Sequence, residues 1–371
     1  MESILPPIAL SKKLGFFIDC LLEKTFAFLK VAHFTDKFSL SQIEARSACF
    51  IEEGRKKGLK FKILRSFAGQ TNCFQIIAGK KTFWFEGLPI APFLNKKGGV
   101  LLNNKSWVKR KLKARSFPIA QGKTFYFWQK KKAINFSKAL GFPLVVKPRQ
   151  GSFARHVTTD IKNEEQLDRA IKTAIVYSPI FLIEKFIQSV SVFRATVVDF
   201  DFVACVKQEP ANIIGNGILT IKELINDKNN DPRRGEIWQK EAILHKIVVD
   251  EKTKELISKK GYDFDSIPQK KEIVYLQKDS FLRLGGDLIE VTPLIHLDNL
   301  LLFKDIAKFF NIPLVGIDFL AKDISVSWKG QTSAILELNG LPCIELHHFP
   351  SSGTPQNVAK ALDDMVKKYY V

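Results

Sequence analysis

Short apolar runs that each end in a single polar or charged side chain constrain this chain more than any other feature. Gly316-Ile317-Asp318 ends one such run and Glu337-Leu338-Asn339 ends another, with Pro342 just beyond. Strand side chains alternate with a period of two, so Glu337 and Asn339 project to one face and can converge there with Asp318. Hard oxygen ligands of this kind, completed by phosphate oxygens and waters, are what Mg²⁺ prefers. Three unrelated polar residues at strand ends would give the same pattern, and Lys147 reduces the weight of that alternative. It terminates the apolar run Leu144 to Lys147, stops at Pro148 and leads into the polar loop Gln150 to His156, which contains Gly151 and Ser152. A lysine there can meet a phosphate as a point charge while loop N–H groups cover the phosphates.

At 371 residues the chain exceeds what a single core usually supports and is expected to form two or three units. From Gln42 to Gly58 the pattern is helical. A strand, Phe61 to Phe67, follows it as a βα-type unit, and Phe74 to Ala78 with Thr82 to Phe85 reads as a hairpin around Gly79 and Lys80. The Pro, Asn, Lys and Gly cluster from Pro92 to Gly99 reads as a linker, which sets a first boundary near residue 100. Beyond it, Lys105 to Lys113 is helical. Asn163 caps a helix whose first turn holds Glu164 and Glu165, and whose apolar face is Leu167, Ala170, Ile171, Ala174 and Ile175. Strands are expected at Ile180 to Ile187, Phe193 to Val206, Val315 to Phe319 and Ala334 to Leu338, and helices near Leu300 to Phe310 and Pro355 to Tyr369.

An apolar content of 46% with 26% charged residues excludes a disordered or fibrous chain. The formal charge of +19 invites a nucleic-acid reading through Lys109, Arg110, Lys111, Lys113 and Arg115, and through Lys130, Lys131 and Lys132. Neither run is interleaved with aromatics on a recognisable binding module, so solvated basic faces or attraction of an anionic substrate are the favoured explanations. Cys20, Cys49, Cys73, Cys205 and Cys343 are odd in number, with no Cys-x-x-Cys spacing, which suits a reducing cytoplasm. Leu14 to Val31 is apolar, but Asp19, Glu23, Lys24 and Lys30 make it an amphipathic helix rather than a membrane span. No Walker loop, Gly-x-Gly-x-x-Gly fingerprint or Gly-x-Ser-x-Gly elbow is present.

Several of these segments together resemble the ATP-grasp ligases. Phe142 to Arg149 with Gly151-Ser152 resembles their lysine strand and phosphate-covering loop, Ile183-Glu184-Lys185-Phe186 the strand that meets adenine, and Glu337 to Pro342 the magnesium motif. Within that group the likeness is to the ATP-grasp part of cyanophycin synthetase and of bifunctional glutathione synthetase. It is carried further by Pro210-Ala211-Asn212, Gly215-Asn216-Gly217, Thr220 to Ile225, Asn230 to Gly235, Gly285-Gly286, Val291-Thr292 and His296. It extends from about Val100 to the C-terminus. The resemblance implies an α+β ATP-grasp fold, two subdomains sandwiching ATP (101–182 and 183–371), preceded by a smaller α/β N-terminal domain (1–100).

Carried over residue by residue, the resemblance gives Lys105 and Lys147, with Gly151 and Ser152, to the ATP phosphates. Glu184, Lys185, Phe186 and Ile187 go to the adenine hinge, Lys207 and Arg283 to catalytic contacts with phosphate and acceptor, and Asp318, Glu337 and Asn339 to one or two Mg²⁺ ions. One departure is Gln188-Ser189-Val190-Ser191-Val192, where relatives have a Gly and an acidic ribose contact, so that contact is left unassigned. Of His347 and His348, one is expected to face the pocket; His296 orders a turn. The implied activity is ATP- and Mg²⁺-dependent joining of a carboxylate to an amine through an acyl phosphate, on an amino acid or small peptide. Its implied setting is the cytoplasm, with small-molecule partners, no nucleic acid, no membrane span and a homodimer left open. The alternatives are a ligase acting on a protein or peptide tail, and a non-catalytic nucleotide or nucleic-acid binding protein.

Overall fold

The structure, a computed structural model, describes residues 32–66, 69–90, 102, 104–149, 156–237, 239 and 242–370. The expected amphipathic helix, Cys20, the 92–99 linker, Gly151 and Ser152 lie outside the described residues. The chain divides into two compact units, Met1–Pro89 and Ile90–Val371.

In the first unit, strands β1 (Ala32–Thr35), β2 (Lys60–Ser66), β3 (Gly69–Ala78) and β4 (Lys81–Glu86) form one sheet in sequence order, and α1 (Ala45–Lys56) packs on it. The helix-then-strand order read as a βα unit closes instead as an antiparallel meander, because the links from β2 to β3 and from β3 to β4 are too short for a parallel crossover. Gly79 turns the expected hairpin at a positive φ of 59°. Phe50, Ile51, Ile63, Phe74 and Ile76 fill the core beneath it.

Two sheets organise the second unit. The smaller is antiparallel, in the order β5 (Gly122–Tyr126), β8 (Ile180–Lys185), β6 (Leu144–Pro148), β7 (Thr158–Ile161). Helices α3 (Lys130–Leu140) and α4 (Glu164–Tyr177) cover it through Ala133, Leu167, Ala170, Ile171 and Ala174. Asn163 caps α4 as expected, accepting from the Gln166 N–H at 2.9 Å.

The larger sheet runs β15 (Asp287–Glu290), β10 (Phe202–Glu209), β9 (Ser191–Val198), β16 (Leu314–Ala321), β17 (Ser333–Asn339), all antiparallel. One face packs Phe193, Ala195, Val197, Ile317 and Phe319 against α7 (Leu297–Phe310) and against α2 (Lys105–Ala114) through Val108 and Leu112. Between β10 and β15 lies an insertion built from β11 (Asn212–Ile214), α5 (Ile221–Asn229), β12 (Arg234–Gly235), β13 (Leu244–His245), α6 (Glu251–Ser258) and β14 (Ile273–Tyr275), with its own apolar core. The chain finishes with α8 (Glu345–His348) and α9 (Val358–Tyr370).

Gly122 shows how closely β5 lies on β8. A Cβ there would stand 2.5 Å from the Ile183 carbonyl oxygen and 2.7 Å from Glu184 Cγ. Gly122→Ala is therefore expected to lower unfolding free energy by roughly 1–3 kcal/mol, because a backbone atom must give way. Gly330→Ala, with nothing within 4 Å, should stay within about 0.5 kcal/mol of the parent. Equal denaturant midpoints for the two variants would overturn this.

Candidate functional site

Opposed residues on antiparallel strands share a face, and the register of the larger sheet lines up one row from Glu337 through Asp318, Arg194 and Val206 to Glu290. Beside it lies a second row on the same face, Asn339, Gly316 and Thr196. The metal-type oxygens expected from the sequence thus stand together on the face opposite the aromatic core. Asn339 donates to Asp318 Oδ2 at 3.4 Å.

Sequence reasoning missed Arg194, which forks onto Asp318 through Nε and through Nη2, the latter at 2.9 Å. Its signal was a lone arginine inside the run Ser191–Val198, directly across from Asp318. Burial raises the Asp318 carboxyl to about 6, against the pull of Arg194 and with the neighbouring Glu337 charge adding to the rise. Glu337 moves the other way, to about 2, because the Lys105 and Arg194 charges outweigh its burial. Lys105 Nζ lies 3.0 Å from Glu337 Oε2.

The second group of charges belongs to the smaller sheet. Glu184, buried in β8, is held by Lys147 of β6 at 2.9 Å and by Lys109 of α2 at 2.6 Å. Burial would raise its pKa, but the Lys147 and Lys109 charges hold the carboxyl below the ordinary range. Lys109 was assigned by sequence to a basic surface run. In the structure its burial lowers the ammonium to about 8, against the pull of Glu184 and with the help of the like charge of Lys147.

Helix α2 joins the two groups. Lys105 and Lys109 are four residues apart and so share one helix face, the first reaching the larger sheet and the second the smaller one. Asn104 caps the helix by accepting from the Trp107 N–H at 3.2 Å, and Ser106 Oγ meets Thr124 Oγ of β5 at 2.9 Å. Lys147, Glu184, Lys109, Lys105, Glu337, Asp318 and Arg194 therefore form a contiguous series of charges across the two sheets.

Other expected residues fall elsewhere. Lys185 Nζ donates to the carbonyls of Gly141 and Phe142 at 3.0 and 2.9 Å, which fixes the turn before β6. The N–H groups of Lys185 and Phe186 go to Gln121 and Pro143 carbonyls; Ile187 donates to no protein group among the described residues. Lys207 sits opposite Phe193 and Ile289, which puts it on the other face of the sheet from Asp318, and it pairs with Glu209. Arg283 lies on a short turn over the Phe281 ring at 5.9 Å and joins no ion pair of the charge series among the described residues. His296 caps α7, accepting from the Asp298 N–H at 3.1 Å. His347 is fully buried between Thr196 Oγ at 2.8 Å and Glu290 Oε2 at 3.4 Å, while His348 accepts from the Ala359 N–H at the start of α9 at 3.1 Å.

A magnesium-bound nucleotide fits this donor set. Among the described residues no group of three His, Cys, Asp or Glu side chains could hold a metal alone. Two carboxylates and one amide oxygen therefore leave ligand positions for phosphate oxygens and water, as Mg²⁺ prefers. The lysines and Arg194 supply the opposite charge that a triphosphate needs.

Glu184→Gln tests the smaller group. Between about 8 and the 10.5 of an unfolded lysine, the unfolded chain binds more protons through Lys109, so stability rises with pH across that window. Without the Glu184 charge, Lys109 loses its proton at lower pH and the same rise begins earlier. The variant should lose roughly 3 kcal/mol near pH 6 and show a smaller deficit near pH 8.5 in denaturant unfolding. A deficit that does not narrow would remove Glu184 as the group keeping Lys109 charged.

No family model matches the chain. Over 270 residues, 72% of its length, it is 34% identical to the cyanophycin synthetase of Trichormus variabilis, of which it spans 29%. Over 326 residues, 87% of its length, it is 27% identical to the glutathione biosynthesis bifunctional protein of Clostridium perfringens, of which it spans 41%. The crystal structure of a bifunctional glutathione synthetase from Pasteurella multocida superposes with a TM-score of 0.67 at 22% identity, over 89% of this chain and 45% of that one. The chain thus spans less than half the length of these relatives. With its two sheets, its buried row of charges and these likenesses, the chain has the ATP-grasp fold and is related in sequence to one segment of cyanophycin synthetases and of bifunctional glutathione-forming proteins.

Proposed function

We propose that the chain is an ATP- and Mg²⁺-dependent ligase that joins a carboxylate to an amine through an acyl phosphate, on an amino acid or small peptide. The observation that supports this best is the junction at α2, where Lys105 meets Glu337 at 3.0 Å and Lys109 meets the same Glu184 that holds Lys147. It draws the basic groups of the middle of the chain and the oxygen ligands of its last quarter toward one triphosphate.

In this reading Asp318, Glu337 and Asn339 would hold Mg²⁺, which when bound offsets triphosphate charge and polarises the γ-phosphoryl group. Lys105, Lys147 and Arg194 orient the phosphates, and the Ile187 N–H, two residues past β8 and donating to no protein group among the described residues, is left for adenine. A substrate carboxylate oxygen attacks the γ-phosphorus, the bond to the bridging oxygen breaks and ADP leaves. The amine nitrogen then attacks the acyl carbon, the bond to phosphate breaks, and phosphate departs as the amine gives up a proton. Charge that develops on the carbonyl oxygen is met by nearby cationic donors.

A phosphate-release screen over pooled amino acids and dipeptides, with mass spectrometry of the product, tests the reading. Glu337→Gln should reduce metal-dependent turnover roughly 100-fold while leaving the fold intact by circular dichroism. Lys147→Ala should raise the apparent ATP requirement about tenfold, equivalent to about 1.4 kcal/mol of lost binding. Parent-like turnover of the first variant at limiting Mg²⁺ would remove the metal site as drawn, and unchanged ATP dependence of the second would remove Lys147.

A further inference from the structure

Apart from the charge series, one end of the smaller sheet holds a knot of large apolar side chains in solvent. Trp128 and Phe127 are 65% and 51% exposed on the turn after β5, beside the exposed Tyr126. Tyr126 and Trp128 stack with centroids 4.6 Å apart, and Phe127 meets Trp128 edge-on at 4.9 Å. The Phe127 N–H bonds the Pro179 carbonyl at 2.9 Å, which brings in the C-terminal end of α4 with Val176, 83% exposed, and Tyr177. Single exposed apolar residues are ordinary, but five gathered in one place mark an interaction surface.

The charge around this knot is positive. Helix α3 begins next to it with Lys130, Lys131 and Lys132 and has no acidic residue in its first turn. Three ammonium groups there oppose the helix dipole and add their field to that of the helix N-terminus. Lys130 shares Asp168 with Lys172, whereas Lys131 and Lys132 are exposed and have no acidic partner among the described residues. The acidic first turn of α4 points to the other end of α3, where Glu164 meets Lys138 at 2.9 Å.

We infer that this knot docks on an anionic lipid surface, with the rings of Phe127 and Trp128 at headgroup depth and Lys131 and Lys132 among the anionic headgroups. Aromatic side chains flanked by lysines suit the bilayer interface, and each lysine near an anionic surface adds to the attraction. Single-stranded nucleic acid is less well served. Its bases need free ring faces, and these rings are packed against one another, while Val176 offers a base nothing to stack on.

Flotation of the full chain with phosphatidylcholine vesicles, with and without phosphatidylglycerol, tests the proposal. Binding is expected to be at least tenfold stronger on the anionic vesicles and to be released by high salt. Phe127→Ala with Trp128→Ala should reduce it about tenfold, as should Lys131→Glu with Lys132→Glu. Lys252→Glu with Lys254→Glu on α6, the same change in net charge elsewhere, should leave binding at the parent level. Equal binding to both vesicle types, equal losses in the α6 control, or binding to a single-stranded oligonucleotide but not to vesicles would each overturn it.

Discussion

The buried ion pairs of the second unit are the constraint on which the rest depends. Lys147, Glu184 and Asp318 are buried in strands that are otherwise apolar, and Arg194 is largely enclosed beside them. An ionised side chain out of water is tolerable only beside an opposite charge, and breaking such a pair costs more than forming it gains. Each strand is therefore required to lie where its partner is: β9 beside β16 so that Arg194 meets Asp318, and β6 beside β8 so that Lys147 meets Glu184. Two apolar sheets could slide in register at modest cost, whereas a one-residue slip here would turn every one of these charges to the wrong face.

The same arithmetic separates the two carboxylates of the larger sheet. Asp318 and Glu337 face one another across β16 and β17 but are held by different cations, Arg194 for one and Lys105 for the other. Burial is the largest single influence on both, but at Glu337 the combined pull of Lys105 and Arg194 outweighs it whereas at Asp318 it prevails, which is why their affinities for protons move in opposite directions. His347 belongs to the same face but to a separate network, joining β9, β15 and α8 through Thr196 and Glu290.

Much of this was legible in the sequence wherever an element was both periodic and punctuated. The α4 helix had a capping asparagine, acidic first turn and apolar stripe, and β6 had a proline at its end, so both were found within a few residues of their observed bounds. Glu337 and Asn339 could be placed on one face because strand alternation is local information, whereas Asp318 joins them through the pairing of β16 with β17. Arg194 and Lys109 were missed because their importance lies in what they face across strands distant in the chain, which no local period encodes. Lys207 lies on the other face of β10 from the Asp318 row, a difference that composition does not show because one residue along a strand moves a side chain through the sheet. The aromatic knot after β5 was overlooked because Tyr126, Phe127 and Trp128 look like core residues until the turn presents them to solvent.

Helix α2 fixes the spacing between the two charge groups. One helical turn cannot stretch, so the span from the ion pair of Lys105 to that of Lys109 is set by the backbone rather than by either sheet. Any hinge motion that spreads the sheets must first release one of these two contacts. A polyanion placed between them would compete for both lysines at once, so that its arrival and the release of the two sheets from each other would be a single event.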